Sequence, residues 1–339
     1  MRIAFDAKRY YHNNRGLGNY SRDVVRLIRT YAPEWELQLI DKSGIGRSFM
    51  PCPICDIYHG LSGEIPLQRS SWSNIKTIVT MHDAIFVRYP ELYSPTYRWL
   101  FAQKVHYACT HADVIIAISE QTKRDLMEFF DADEAKIHVI YQGCSNIFRQ
   151  HVSELDKATI QHQYLLPSQY ILIVGAVEAR KNLKGLIQAV AAAKIDIPII
   201  AVGSRTRYAD EAEALARQLH VTLRILSNVP FTQLPAFYSL AEMMVYPSHF
   251  EGFGIPILEA MCMNTPVITS TGSCFHEVAG DAALYANPTH PEQLGEHIYT
   301  ILNDNKLKQH LIKIGQKQSQ LFSDEHVAHN LIQLYESTH

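Results

Sequence analysis

Pro247-Ser-His-Phe-Glu251-Gly-Phe-Gly254-Ile-Pro256-Ile-Leu-Glu259-Ala places two glutamates on either side of a glycine-rich turn. The apolar run 243–247 just ahead of it reads as a strand. Pro256 presets the backbone torsion of a first helical position. The stretch is therefore a strand, a loop and a helix, with Glu251 on the loop and Glu259 in the first turns of the helix. The amides of Gly252, Phe253, Gly254 and Ile255 fall at the open, electropositive helix end, where an anion would be welcome. The glycines let the backbone approach a ligand closely. Carboxylates beside an anion site suit a ligand with both hydroxyls and phosphates, such as a sugar nucleotide. The competing reading is an ordinary Gly-Pro turn with two solvated glutamates.

Working outward, the same strand–loop–helix unit recurs. Strand candidates lie at 2–7, 36–41, 56–60, 76–82, 113–119 and 137–142, then at 170–177, 198–202, 222–227, 243–247, 266–270 and 283–285. Helical spacing fills the gaps, for example at 17–31, 97–110, 120–130, 183–193 and 234–241. Such alternation predicts an α/β protein with parallel sheets covered by helices on both faces. It pauses once, at 145–167, which sets the expected domain boundary. A length of 339 residues also favours two domains. The expectation is residues 1–150 as one Rossmann-like domain and 151–321 as another, facing a central cleft. An amphipathic helix at about 322–339 packs back on the first.

Composition narrows the function. Hydrophobic residues at 47% and charged residues at 19% describe an ordinary globular protein, and a net charge of −3 argues against a nucleic-acid partner. No apolar run reaches the length of a bilayer span, and the opening residues read as a charged strand rather than an export signal. Six scattered cysteines fit a reducing cytoplasm. Cys52-Pro-Ile-Cys55 has redox or zinc spacing, but no second CxxC or nearby Cys/His pair completes it, and the competing reading is a loop with two small apolar residues.

Four further segments carry chemistry. Arg15-Gly16-Leu17-Gly18-Asn19-Tyr20 opens a helix after the first strand and suits a phosphate or sugar, although it lacks the third glycine of a dinucleotide fingerprint. Thr80-Met81-His82-Asp83 ends a central strand, where polar groups reach a cleft. There His82 would bond a sugar hydroxyl and Asp83 would orient its ring or an acceptor. Glu178-Ala-Arg180-Lys181-Asn182 puts two cations at a strand-to-helix turn, ready to neutralise a diphosphate. Ser273-Cys-Phe-His276-Glu277 adds a polar rim. Taken alone, each of these also reads as a simple turn or a solvated surface.

In this order the segments resemble the family-4 glycosyltransferases of the GT-B fold, over nearly the whole chain. The likeness runs through RGLGNY, MHD, ISEQTKRDL (118–126), VIYQGCSNIF (139–148), GAVEARKNL, PSHFEGFGIPILEAM, TPVITS and FHEVAGDAAL. It looks most like bacterial members that build surface polysaccharides, often from nucleotide-mannose. The resemblance implies that Arg180 and Lys181 hold the donor diphosphate and that Glu259 binds the ribose. Glu251 and the 252–255 amides would hold the transferred sugar, His82 would contact it near the reacting carbon, and Gly16 and Gly18 would flank the phosphates. It also implies retention of anomeric configuration, no metal, and no cofactor beyond a nucleotide-diphosphate sugar, GDP-mannose-like. The acceptor would be a glycan or a lipid-linked sugar. Asn264 replaces a common glycine, Ala179 a usual proline and Asp324 a usual tryptophan, and none of these changes removes a charge from the proposed site.

A GT-B nucleotide-sugar epimerase and a non-catalytic sugar-nucleotide-binding subunit are the alternatives. The Glu-x7-Glu pattern together with Glu-Ala-Arg-Lys-Asn favours transfer. Lys181→Ala and Glu251→Ala are each expected to remove most activity without unfolding the chain. Peripheral contact with the inner face of the cell membrane is expected from Arg22, Arg26 and Arg29 on one helix face and from the aromatic run 86–101.

Overall fold

The computed structural model describes residues 1–13, 16–41, 54–66 and 74–339, so Arg15 and Cys52 lie outside the described residues. The chain forms two compact units, Met1–Gly143 with Phe322–His339, and Cys144–Leu321. The first holds strands β1 (Arg2–Asp6), β2 (Glu36–Ile40), β3 (Ile57–Gly60), β4 (Lys76–Met81), β5 (Val114–Ala117) and β6 (Ile137–Val139). They form one sheet in the order β2-β1-β3-β4-β5-β6, and every pairing is parallel. Ile57, Ile78, Val79, Ile115 and Ile116 are wholly buried, as strands covered on both faces require.

The second unit holds β7 (Ile171–Val174), β8 (Ile199–Val202), β9 (Leu223–Leu226), β10 (Met243–Tyr246), β11 (Val267–Ser270) and β12 (Ala283–Ala286). Their order is β12-β11-β10-β7-β8-β9, again all parallel. The order reverses between β7 and β10. In an open α/β sheet that reversal leaves a crevice at the carboxyl ends of the two strands. Both expected doubly wound sheets are therefore present.

Eleven of the twelve strands are shorter than the apolar runs that announced them, and β12 runs one residue longer. The run 170–177 stops being a strand at Val174 because Gly175 takes φ 133°, a backbone few other residues adopt. Residues 144–150, expected with the first domain, pack on the second. Phe148 is buried there against Tyr238 and Phe231, with ring centroids 5.7 and 5.5 Å away, and Arg149 Nη2 donates to the Ser319 carbonyl.

The helix Asp324–Thr338 belongs to the first unit. Ser323 caps it by accepting from the His326 amide. Asp324 takes both Arg26 guanidinium nitrogens at 2.6 and 3.0 Å. Near its far end, the Tyr335 hydroxyl meets His59 Nδ1 at 2.7 Å. The aspartate in place of a tryptophan thus gains a bidentate partner. The basic stripe is correspondingly spent. Arg26 is engaged there, and Arg22 donates to the carbonyls of Tyr10 and Asn13 and to Asn19 Oδ1. Of the three arginines only Arg29 is exposed.

The glycines of the first helix, Gly16–Tyr31, differ in what they do. A Cβ on Gly18 would lie 1.6 Å from the Asn13 carbonyl oxygen, whereas one on Gly16 would meet nothing within 4 Å. Gly18 is a packing requirement of the preceding turn. Gly18→Ala is expected to cost about 1–3 kcal/mol in urea unfolding. Gly16→Ala should leave stability unchanged or raise it by up to about 1 kcal/mol, the helix-propensity difference. Equal losses from the two would contradict this packing.

Candidate functional site

The two strands that flank the reversal in the second unit carry the principal cluster. After β7 the chain runs through a short 3-10 turn, Ala179–Lys181, into Asn182 at φ 56°. Asn182 caps the helix Leu183–Ala192 by accepting from the Gly185 amide, and its amide group donates to the Pro288 carbonyl at 2.7 Å. Asparagine tolerates this left-handed cap, and the turn is fixed at both ends. Arg180 and Lys181 are thereby presented at the carboxyl end of β7.

Glu251 comes from the loop after β10 and lies between them. Lys181 Nζ is 2.6 Å from Glu251 Oε1, and Arg180 Nη1 is 2.7 Å from Oε2. Arg180 also donates to the Phe250 carbonyl at 2.7 Å and to Glu178 at 2.6 Å. Lys181 donates to the Tyr246 hydroxyl. Glu251 is only 8% exposed, so this is a buried ion cluster rather than a solvated pair. Burial pushes the Glu251 carboxyl up, but Lys181 and Arg180 override it and hold the group down at about 2. Burial pushes Lys181 down and Glu251 pushes it back, the net shift being downward. Arg180, against burial, is raised by Glu251. Tyr246, raised by burial and by Glu251, keeps its proton.

The turn between the glutamates differs from its reading in the sequence. The helix is Ile255–Cys262, so Pro256 stands second rather than first. Gly254 caps it at φ 105°, with Ile257 Cδ1 3.2 Å from where a Cβ would sit, so only glycine fits there. The loop is braced by the segment after β11. Ser273 Oγ accepts from the Glu251 amide at 3.1 Å and lies 2.9 Å from the Glu251 carbonyl, while Cys274 Sγ donates to the Phe253 carbonyl at 2.9 Å. Phe253 is buried. Ser273 and Cys274 are thus loop supports, a role the sequence reading left as a polar rim.

Glu259 sits apart from the ion cluster. The Tyr238 hydroxyl donates to its Oε2 at 2.6 Å, and the carboxyl is 5% exposed. Burial raises its pKa to about 7, with the Tyr238 hydrogen bond opposing. Tyr238 and Tyr246 were not singled out in the sequence. A tyrosine closing an apolar strand (Tyr246) is the one cue that could have found the second.

In the first unit His82 follows β4, and a backbone carbonyl rather than Asp83 holds its Nε2. His82 Nε2 is 2.9 Å from the Leu61 carbonyl, which fixes the proton on Nε2 and leaves Nδ1 as acceptor. Asp83 Oδ1 instead accepts from the Ile85 amide. Burial lowers the His82 pKa to about 4, so the ring is neutral near pH 7. Tyr20 packs edge-on against it at 4.7 Å. Behind them runs a buried chain: the Tyr20 hydroxyl to Thr80 Oγ1 at 3.0 Å, Thr80 to His59 Nε2 at 2.8 Å, and His59 to Tyr335. Gly16, exposed at its helix start, has open space beside it, whereas Gly18 is closed by Asn13.

Comparison with known proteins gives two family matches. Residues 156–318 match the family described as glycosyl transferases group 1, and residues 55–145 match glycosyltransferase family 4. O-antigen chain mannosyltransferase B of Escherichia coli is 30% identical over 286 residues, covering 82% of this chain and 74% of that protein. O-antigen chain mannosyltransferase RfbU of Salmonella typhimurium is 31% identical over 238 residues, covering 69% of this chain and 60% of that one. Among solved structures, Anabaena Alr3699/HepE in complex with UDP-glucose superposes with a TM-score of 0.78 at 15% identity, covering 99% of this chain and 100% of that one.

Proposed function

Since the chain belongs to the group 1 and family 4 glycosyltransferases and has their GT-B fold, we propose that it is a retaining hexosyltransferase using a nucleotide-diphosphate sugar, GDP-mannose-like, in surface polysaccharide synthesis. The observation that carries the reading is the Arg180–Lys181–Glu251 cluster at the strand reversal. Breaking the bond from the anomeric carbon to a diphosphate builds charge on the leaving oxygen. The Arg180 guanidinium and Lys181 ammonium stabilise that charge from a buried setting, where such interactions are strongest. These cations supply the compensation a divalent metal would otherwise give, and no cofactor is invoked. Glu251 accepts from hydroxyls of the transferred sugar, and Glu259 accepts from the ribose hydroxyls. The neutral His82 accepts a sugar hydroxyl through Nδ1, and Gly16 leaves room for phosphate. The acceptor, a glycan or lipid-linked sugar, attacks from the face the nucleotide leaves, and the diphosphate takes its proton.

Mannose as the transferred sugar is supported by the two O-antigen relatives, whose names give that activity. Among the described residues no helix is long and apolar enough to cross a membrane. We place the enzyme in the cytoplasm with peripheral membrane contact through the exposed Leu92, Tyr97, Trp99 and Leu100 rather than through the arginines of the first helix. The test is incubation of the full chain with GDP-mannose and UDP-hexoses, with and without polyprenyl-linked acceptors, read by mass spectrometry and by NMR of the new linkage. Transfer with retained configuration is expected. An epimerised free sugar nucleotide, or tight binding with neither transfer nor donor hydrolysis, would overturn the reading in favour of an epimerase or a binding subunit.

A further inference from the structure

The segment where the second unit begins places Cys144 Sγ 3.6 Å from Cys262 Sγ, at the last residue of the Glu259 helix. We propose that Cys144 and Cys262 are a redox pair that a peroxide closes to a disulfide, and that closure alters nucleotide binding through Glu259. The contact is built by packing. The 3-10 turn Asn146–Arg149 lies on the helix Ile255–Cys262, pinned by buried Phe148 and by Arg149, which donates to the Ser319 carbonyl. The sulfurs must close by about 1.5 Å to reach disulfide bonding distance. Cys144 is buried, whereas Cys262 is partly exposed and so open to a small oxidant.

The two thiols are unequal in the way such chemistry needs. The hydrogen bond from Cys144 and the Arg149 charge hold Cys262 down at about 7 against burial, so much of it is thiolate near neutral pH. Cys144 is pushed well up by that same bond and by burial. Cys262 thiolate attacks a peroxide oxygen, breaking the O–O bond and leaving a sulfenic acid plus alcohol or water. Cys144 then loses its proton and attacks the sulfenyl sulfur, forming the S–S bond and releasing water. Two electrons pass from the sulfurs to the peroxide, and a dithiol reverses the step. A pair of this kind inside a reducing compartment is a sensor rather than a staple.

Glu259 is three residues before Cys262 on the same helix. The titratable groups acting on it and its neighbours are Tyr238 from the helix Leu234–Leu240, Cys262 itself, and Cys144, with Arg149 acting on both cysteines. The Cys262 charge adds to the upward push on Glu259. A disulfide carries no charge, so oxidation removes that push and lets the carboxylate ionise at lower pH.

The experiment treats the reduced full chain with hydrogen peroxide, then digests it without reductant. A peptide joining Cys144 to Cys262 with loss of two hydrogens, reversed by dithiothreitol, is expected. In Cys144→Ser, oxidation should stop at a Cys262 sulfenic acid captured by dimedone. Native protein that stays unlinked, or links other cysteines instead, overturns the pair. GDP affinity against pH, corrected for the nucleotide's own titration, should rise about tenfold from pH 6 to 8 in the reduced form, as a carboxyl near 7 dictates, with a lower midpoint once oxidised. This second arm rests on Glu259 holding the ribose. A linked peptide with an unmoved midpoint overturns the coupling, whereas no rise in the reduced form overturns the ribose assignment and leaves the disulfide standing on its mass.

Discussion

Lys181→Ala is expected to lower kcat/KM for transfer by about 10²–10³-fold, the loss of one preorganised donor to a developing anion, about 3–4 kcal/mol. Its ammonium lies over the Tyr246 ring, 4.6 Å from the centroid, with Glu251 on its other side. Gly175, without a side chain, leaves space for the lysine stem, the nearest atom being Cε at 3.4 Å from a notional Cβ. Nothing else in the cluster can shift into that position, because Arg180 is committed to Phe250, Glu178 and Glu251. The fold should tolerate the loss, since Glu251 keeps its arginine. The comparison is initial-rate kinetics on the best donor beside thermal unfolding. A variant with near-full turnover removes Lys181 from the mechanism.

Glu251→Ala behaves differently, and here the structure changes the expectation. The sequence reading expects its loss to remove transfer and spare the fold. Instead the buried carboxylate is the counter-charge for two cations whose side chains are themselves only 13% exposed. Removing one partner of such a set costs about 3–5 kcal/mol because the remaining charges stay desolvated and unpaired. Glu251→Ala should therefore lose transfer and also unfold at markedly lower denaturant. Inorganic pyrophosphate should restore more stability to this variant than to the parent, because an anion that binds only the folded state raises apparent stability. Equal stabilisation of both proteins by pyrophosphate would show that the cations are not what the anion meets.

The fold was legible because its signal is repeated. Twelve apolar runs separated by helical spacing leave few alternatives to parallel sheets, and the neighbouring strands supply the rest. Charged residues of the candidate site were legible for a similar reason, since the ends of successive strands in such a sheet are where ligand groups stand. Their mutual pairing was not. That Lys181 and Arg180 share Glu251 depends on a turn closed by Asn182 and a loop tied by Ser273, both long-range facts. Tyr238 escaped notice because a tyrosine in a short apolar helix looks like core until its hydroxyl finds Glu259. Asp83 does not hold His82 Nε2, because a backbone carbonyl, that of Leu61, takes that bond. Gly18 looked like a ligand glycine, and only the Asn13 carbonyl reveals a steric cause.

The helix Asp324–Thr338 completes the first unit although it is synthesised after the whole of the second. Ribosomes adding about 5–20 residues per second would leave the His59 and Arg26 partners, 276 and 298 residues away, missing for roughly fifteen to sixty seconds. During that interval the helix Gly16–Tyr31 and the buried His59 lack the helix Asp324–Thr338 that packs on them. The second unit, Cys144–Leu321, is by contrast one continuous stretch of chain. The first unit is therefore closed by contacts 276 and 298 residues apart in sequence, the kind of non-local pairing that slows folding.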